Sequence, residues 1–290
     1  MHIVAMDLHE NLVDSAQERL RSAYPDVKAL GIACDVTKPE ELSTALSTIE
    51  AYFPDSEIGA VFANAGTLFH KTILQSNIEE WATTLNVNVI GVVNTIKAFL
   101  PKMQNSEASS IFCTTASVGG LVRGDGGTAS YQASKHAVVS LTESLSFEIA
   151  SRSPQIRVHV LCPCIVESAP PKNSITNAQE ESGEIDTNDI HPSSSPTNDF
   201  AMTTESHAQQ AFDLIAENKF YLLTDNIPPY VNHDYPFKAL NIVRERMENM
   251  LDLTLDNAVA FPTESGDVKT SSMTGVMFRE ARKRKPQAPE

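Results

Sequence analysis

Glycine is scarce and late in this chain: 12 residues in 290, the first of them Gly31. A glycine-rich turn ahead of that position is excluded. Cysteine is sparse too, with only Cys34, Cys113, Cys162 and Cys164. Four thiols in a chain this long do not make a disulfide scaffold, and they point to a reducing, cytoplasmic setting. Basic charge is thin. The chain has 22 Lys+Arg against 37 Asp+Glu, a formal net charge of −15, and five of the basic residues crowd into Arg279, Arg282, Lys283, Arg284 and Lys285. A nucleic-acid binder needs a basic face to displace counterions from phosphates, so that class is set aside. No run of about eighteen apolar residues is available for a membrane-spanning helix. The opening Met1-His2-Ile3-Val4-Ala5-Met6-Asp7 has no basic stretch and reaches a carboxylate at once, so it does not read as a secretory signal. The eight histidines are scattered without His-x-x-x-His or paired Cys-His spacing, which argues against a metal site.

The first 165 residues alternate short apolar runs with amphipathic stretches. His2 to Met6 reads as a buried strand, and residues 9–23 as a helix with Leu12, Ala16, Leu20 and Ala23 on one face. Further strands are expected at Ala29–Cys34, Gly59–Ala63, Ser110–Thr115 and Ile156–Leu161, with helices over about 38–53, 77–103 and 129–151. Such alternation predicts an α/β fold, a parallel sheet wound on both faces by right-handed crossovers. The character changes at Pro163. Residues 169–206 carry seven acidic residues and one Lys among Ser, Thr, Asn and Pro, and read as an insertion or lid. A helix over 205–218, a strand at Phe220–Thr224 and a helix over 238–252 follow, and the segment 253–290 reads as a disordered tail.

Chemistry concentrates in Tyr131-Gln132-Ala133-Ser134-Lys135. The i, i+4 spacing sets a phenol and an ammonium on one helical face. Bringing a tyrosine of pKa about 10 to neutrality needs about 4 kcal/mol. An ammonium about 4 Å away supplies about that much at an effective dielectric near 20. The pair is thus suited to general acid–base work. Ser117 stands at the C-terminal end of a strand, where open α/β sheets bind their ligands. Asn88 lies in the long helix, Asn64-Ala65-Gly66 closes the strand before it, Asp35-Val36 the one before that, and Asp7 the first.

Taken in order, these motifs resemble the short-chain dehydrogenase/reductase family over residues 1 to about 252. The resemblance implies a Rossmann-type doubly wound sheet that binds a nicotinamide cofactor and moves a hydride between it and a carbonyl or secondary alcohol. By the family's pattern Tyr131 handles the proton, and Lys135 tunes it and holds the nicotinamide ribose. Ser117 orients the substrate, and Asn88 supports a water in the relay. Asn64, Ala65 and Gly66 line the adenosine side, with Asp35 and Val36 near the adenine. Asp7 is expected to accept hydrogen bonds from a ribose 2′-OH and repel a 2′-phosphate; with no Arg or Lys among residues 1–18, NAD is favoured over NADP. Asp7 as a simple helix-start residue is the competing reading. The resemblance also implies dimers formed through the helices at 77–103 and 129–151, and a small-molecule substrate, with the polar lid favouring a bulky lipophilic one.

Two departures stand out. Pro163-Cys164 replaces the family's Pro-Gly, so a side chain occupies a place where backbone normally nears the nicotinamide. The family's first strand and glycine-rich phosphate loop have no counterpart ahead of Asp7. That loss removes about five ladder hydrogen bonds at about 1 kcal/mol each, and backbone amides for a pyrophosphate. The expectation is weak folding or weak cofactor binding. Two explanations remain: a natural polypeptide that starts upstream of Met1, or a shortened, inactive relative kept as an interaction protein.

Overall fold

The computed structural model describes residues 1–121, 127–167 and 201–224. All of them fall in one compact unit, Met1–Asn232; the other unit, His233–Glu290, lies outside the described residues. Most of the expected lid at 169–206, the helix at 238–252 and the tail at 253–290 also lie outside them.

The elements run β1 (Ile3–Asp7), α1 (Glu10–Ala23), β2 (Ala29–Ala33), α2 (Pro39–Tyr52), β3 (Ala60–Ala63), α3 (Ile78–Leu85), α4 (Gly91–Gln104), β4 (Ser110–Thr115), α5 (Ala129–Ala150), β5 (Ile156–Pro163), α6 (Thr204–Ala216) and β6 (Tyr221–Thr224). Local chemistry sets several of these starts. Pro39 opens α2, with Glu40 and Glu41 in its first turn, where the helix dipole favours carboxylates. Its N-cap is Lys38 rather than Thr37, whose hydroxyl instead donates to Asp35 Oδ1 at 2.7 Å. Asn77 and Glu80 form a reciprocal capping box at α3: Glu80 N donates to Asn77 Oδ1 at 2.8 Å and Asn77 N to Glu80 Oε2 at 3.1 Å.

Every strand pairing is parallel. The pairings make two ladders, β1–β2 and β3–β4–β5–β6. Among the described residues no ladder hydrogen bond joins β1 to β3. One edge of each is open, and Phe62 in β3 is 41% exposed. The parallel sheet expected from the alternation thus stands as two ladders. The halves are joined by side chains instead: Asn94 Nδ2 donates to the Val36 carbonyl at 3.0 Å. Gly91 nestles on Val36 so closely that a Cβ would stand 2.7 Å from Val36 Cγ2.

Alternation along the strands divides the core into two layers. Phe112, Val158, Val160 and Cys162 face one layer with Leu42, Val92, Phe99, Met103, Val138 and Leu145. Cys113, Leu161 and Leu222 face the other, against Ala211 and Ile215 of α6. The helices predicted at 129–151 and 205–218 occur as α5 and α6. The long helix predicted over 77–103 is broken by a π-helical turn, Asn86–Ile90, between α3 and α4. No described helix is long and apolar enough to cross a membrane.

Candidate active site

The C-terminal ends of β3, β4 and β5 and the first turns of α5 bring four predicted residues together. Ser117 follows β4 and caps a short 3₁₀ turn, Val118–Gly120, its Oγ accepting from Gly119 N at 3.1 Å. The same hydroxyl lies beside the Tyr131 ring: a Cβ at Gly119 would stand 3.5 Å from Ser117 Oγ and 3.9 Å from Tyr131 Cε1. Lys135, 3% exposed, lies one turn further along α5, its Nζ 5.5 Å from the Tyr131 ring centre. That ammonium donates to the Thr115 carbonyl at 2.8 Å, which leaves two of its three N–H groups for other acceptors.

Asn88 is wholly buried in the π turn. Such turns insert a residue into the helical repeat and often mark functional sites. Both hydrogens of its carboxamide are used: Oδ1 accepts from Thr67 N at 2.7 Å, and Nδ2 donates to the Thr67 carbonyl at 3.0 Å and to Ser134 Oγ at 2.8 Å. The side chain thus pins the segment after β3 to α5. Gly66 lies beneath the cluster, where a Cβ would stand 3.4 Å from both Asn88 Oδ1 and Lys135 Nζ.

Electrostatics differ from the simple phenol–ammonium picture. Burial holds the Tyr131 phenol above its ordinary value, opposed by the hydrogen bond from Ser117. Burial draws Lys135 down to about 8, partly offset by the neighbouring Cys162 thiol. With Nζ turned to Thr115, the expected large lowering of Tyr131 by Lys135 is not in place. In this arrangement the phenol is protonated at neutral pH, an acid ready to donate. Cys162 sits behind the pair with no exposed surface, and burial pushes its thiol well above the ordinary range.

The residues predicted for the adenosine side lie at strand ends, and Gly66 among them borders this cluster. Asn64, Ala65 and Gly66 are exposed after β3, and Asn64 Oδ1 accepts from Thr115 Oγ1 at 2.9 Å. Asp35 Oδ1 accepts from the amide of Thr37 at 2.9 Å as well as its hydroxyl. These bonds and Lys38 hold the Asp35 carboxyl below its usual value, although burial works the other way. Val36 follows β2 and packs on Gly91. Asp7 ends β1, and its Oδ1 accepts from His9 N at 3.1 Å; it stands ahead of α1, whose N-cap His9 has no side-chain cap, so it is not a first-turn residue of that helix. Its other carboxylate oxygen is still available to a ribose hydroxyl.

Sequence reasoning missed Ser134 and Thr67. Ser134 was within sight, inside the Tyr131–Lys135 motif at the spacing that shares a helical face. Thr67 carries no signal, because it contributes only backbone atoms to Asn88. Among the described residues no group of three His, Cys, Asp or Glu side chains is placed to hold a metal ion.

A family model described as short chain dehydrogenase matches residues 1–180. The chain belongs to the short-chain dehydrogenase/reductase family. It is 30% identical over 166 residues to dehydrogenase/reductase SDR family member 6 of Rattus norvegicus, covering 57% of this chain and 61% of that protein. It is 29% identical over 147 residues to the 3-oxoacyl-[acyl-carrier-protein] reductase FabG of Escherichia coli, covering 51% and 58%. The chain spans about three-fifths of the length of the curated relatives it matches. Among solved structures, a short-chain dehydrogenase/reductase from Burkholderia phymatum in complex with NAD aligns with TM-score 0.63 and 25% identity, covering 91% of this chain and 89% of that one. An alcohol dehydrogenase from Thermococcus sibiricus complexed with 5-hydroxy-NADP aligns at TM-score 0.61 and 18% identity, covering 80% and 88%, a likeness of fold. The cluster around Tyr131 thus stands on a short-chain dehydrogenase scaffold whose solved neighbours hold nicotinamide cofactors.

Proposed function

We propose that this short-chain dehydrogenase reduces a carbonyl compound, or oxidises the matching secondary alcohol, by Tyr131–Ser117–Lys135 chemistry with Asn88 in support. The observation that carries this reading is the Ser117 hydroxyl set beside the Tyr131 phenol, with Lys135 buried one turn along α5. It sets a hydroxyl and a protonated phenol where one carbonyl oxygen can meet both. Tyr131 donates its proton to that oxygen as negative charge develops, and Ser117 holds the oxygen in place. In reverse, Tyr131 accepts the proton from the alcohol. Asn88 keeps the framework aligned, with both Nδ2 hydrogens and one acceptor site of Oδ1 bonded within the fold.

The donor set fits a nicotinamide cofactor. Lys135 retains N–H groups for ribose hydroxyls, and Gly66 leaves room for close approach above it. When bound, that cofactor supplies or receives the hydride, two electrons and a proton's mass, that balances the change at carbon. Asp7 supports NAD over NADP, because a carboxylate at the end of β1 repels a 2′-phosphate. The free buried thiols support a reducing, cytoplasmic setting. Exposed Phe147 on α5 and Ile90 beside α4 support self-association through these helices. Exposed Ile73 and Leu74, in the segment that bridges at Lys71 to Thr128 ahead of α5, support a bulky lipophilic substrate over a small polar one.

Tyr131→Phe is the test. It is expected to abolish carbonyl reduction while calorimetric titration still registers cofactor; turnover equal to the parent's would sink the assignment. A second reading, a non-catalytic interaction scaffold, is favoured by the open edges of β1 and β3. It predicts no binding heat with NAD, so the same titration separates the two.

A further inference from the structure

Within Tyr131–Lys135, Ser134 has no part in the chemistry just described, yet it is completely buried. Its hydroxyl donates to the Tyr131 carbonyl at 2.6 Å. Alone, that is the common local bond by which a helical serine returns to its own preceding turn. The second bond is not local. Asn88 Nδ2 reaches across 46 positions of sequence to donate to the same oxygen at 2.8 Å. The hydroxyl thus joins the π turn of Asn88 to the backbone of Tyr131, and through Asn88 to Thr67 after β3.

We propose that Ser134 is a positioning residue: by coupling the Asn88 carboxamide to the Tyr131 carbonyl, it fixes where the Tyr131 phenol meets Ser117. The inference rests on the reading of Tyr131 as the proton carrier. The physical case is one of satisfied valences. Both Nδ2 hydrogens and Oδ1 of Asn88 are committed, and no solvent reaches that side chain to replace a lost partner. Removing the Ser134 hydroxyl leaves an amide hydrogen unpaired and frees the first turn of α5 from the π turn. Asn88 must then rotate or the two segments must part. Either movement is felt first at Tyr131, three residues away, whose ring lies beside Ser117.

The test uses the full chain carrying tyrosine labelled at the phenol carbon, whose resonance reports hydrogen bonding of the ring oxygen without any substrate. Parent, Ser134→Ala, Ser134→Thr and Tyr131→Phe are compared at neutral pH. The Tyr131 signal is assigned by its loss in Tyr131→Phe. In Ser134→Ala that signal is expected to move while the other tyrosine signals stay, and Ser134→Thr, which keeps the hydroxyl, returns it. In turnover, Ser134→Ala is expected to lower kcat about tenfold, with KM for the carbonyl and the cofactor dissociation constant held. A Tyr131 signal that does not move in Ser134→Ala overturns the proposal, and so does a common shift of all tyrosine signals, which marks general loss of structure. Full turnover in Tyr131→Phe removes the acid–base reading, whereas the substrate-free signal decides for or against Ser134 in either case.

Discussion

Gly120 is pressed onto the main chain of Lys135: a Cβ at Gly120 would lie 2.6 Å from the Lys135 carbonyl oxygen and 2.8 Å from its carbonyl carbon. The 3₁₀ turn that carries Ser117 and the helix that carries Tyr131 and Lys135 are thereby held at a spacing that only glycine permits. Gly120→Ala must displace backbone rather than a flexible side chain. It is expected to cost about 1–3 kcal/mol of stability, read from thermal or urea unfolding. Turnover should fall further than stability accounts for, since the displaced turn carries the hydroxyl that lies beside Tyr131. A variant as stable and active as the parent would show the two segments are free to slide.

Lys135 gives a prediction of opposite sign for stability and activity. Burial draws it from 10.5 to about 8 in the folded chain, and that difference corresponds to about 3 kcal/mol of native-state cost below pH 8. The unfolded chain holds the proton more tightly, so the native state gains stability as pH rises from about 8 towards 10.5. Lys135→Met removes the buried ammonium and is expected to unfold at higher denaturant, with the alkaline gain lost. Cofactor binding and turnover should collapse in the same variant. A methionine form less stable than the parent would contradict the burial argument.

Two histidines tie α6 and β6 to the sheet. His159 Nδ1 bonds the Lys219 carbonyl at 2.7 Å, and His207 Nδ1 bonds Thr224 Oγ1 at 2.8 Å. Burial lowers both below the ordinary value of 6.5; at His159 the Lys219 bond opposes this and Arg157 adds to it. A depressed histidine binds its proton more readily when unfolded. The stability that its neutral form supports is fully present above pH 6.5 and drains away as pH falls through the folded values. Urea midpoints taken from about pH 7.5 down to about 5 should fall. His207→Asn should flatten part of that slope, and equal slopes in the two proteins would remove His207 from the account.

Asp7 separates its two roles by substitution. Asp7→Asn keeps an oxygen for the His9 amide but removes the charge that disfavours a 2′-phosphate. The expected outcome is unchanged thermal stability with a several-fold rise in NADP binding relative to NAD, measured by calorimetry. An unaltered ratio of the two cofactors would leave Asp7 with the turn to His9 alone.

Much of this site is legible from residue order, because strand ends and one helical spacing determine it. Apolar runs place β4 and β5, and i, i+4 spacing sets Tyr131 and Lys135 on one face of α5. The direction in which the ammonium points is not legible. Its partner is the carbonyl of Thr115, a backbone atom that every residue type offers. The π turn is hidden for a related reason: the apolar pattern of residues 77–103 runs on past it, and the extra residue shows only in backbone hydrogen bonds. The divided ladder is also invisible to periodicity. Period-2 and buried-run patterns identify strands, but which strands pair depends on edges that no residue type declares.

That divided ladder has a consequence for how the molecule opens. β1 and β2 share a core cluster with other described elements through Met6, Ile32 and Val36, and Asn94 grips the Val36 carbonyl, but among the described residues no rung joins β1 to β3. Cooperative unfolding units follow such seams. The segment bearing Asp7 and Asp35 is therefore expected to release its amide hydrogens at lower free energy than β4 and β5, whose neighbours lie on both sides. The two ends of a dinucleotide would then be gripped by jaws of unequal stiffness, with the nicotinamide end in the rigid one.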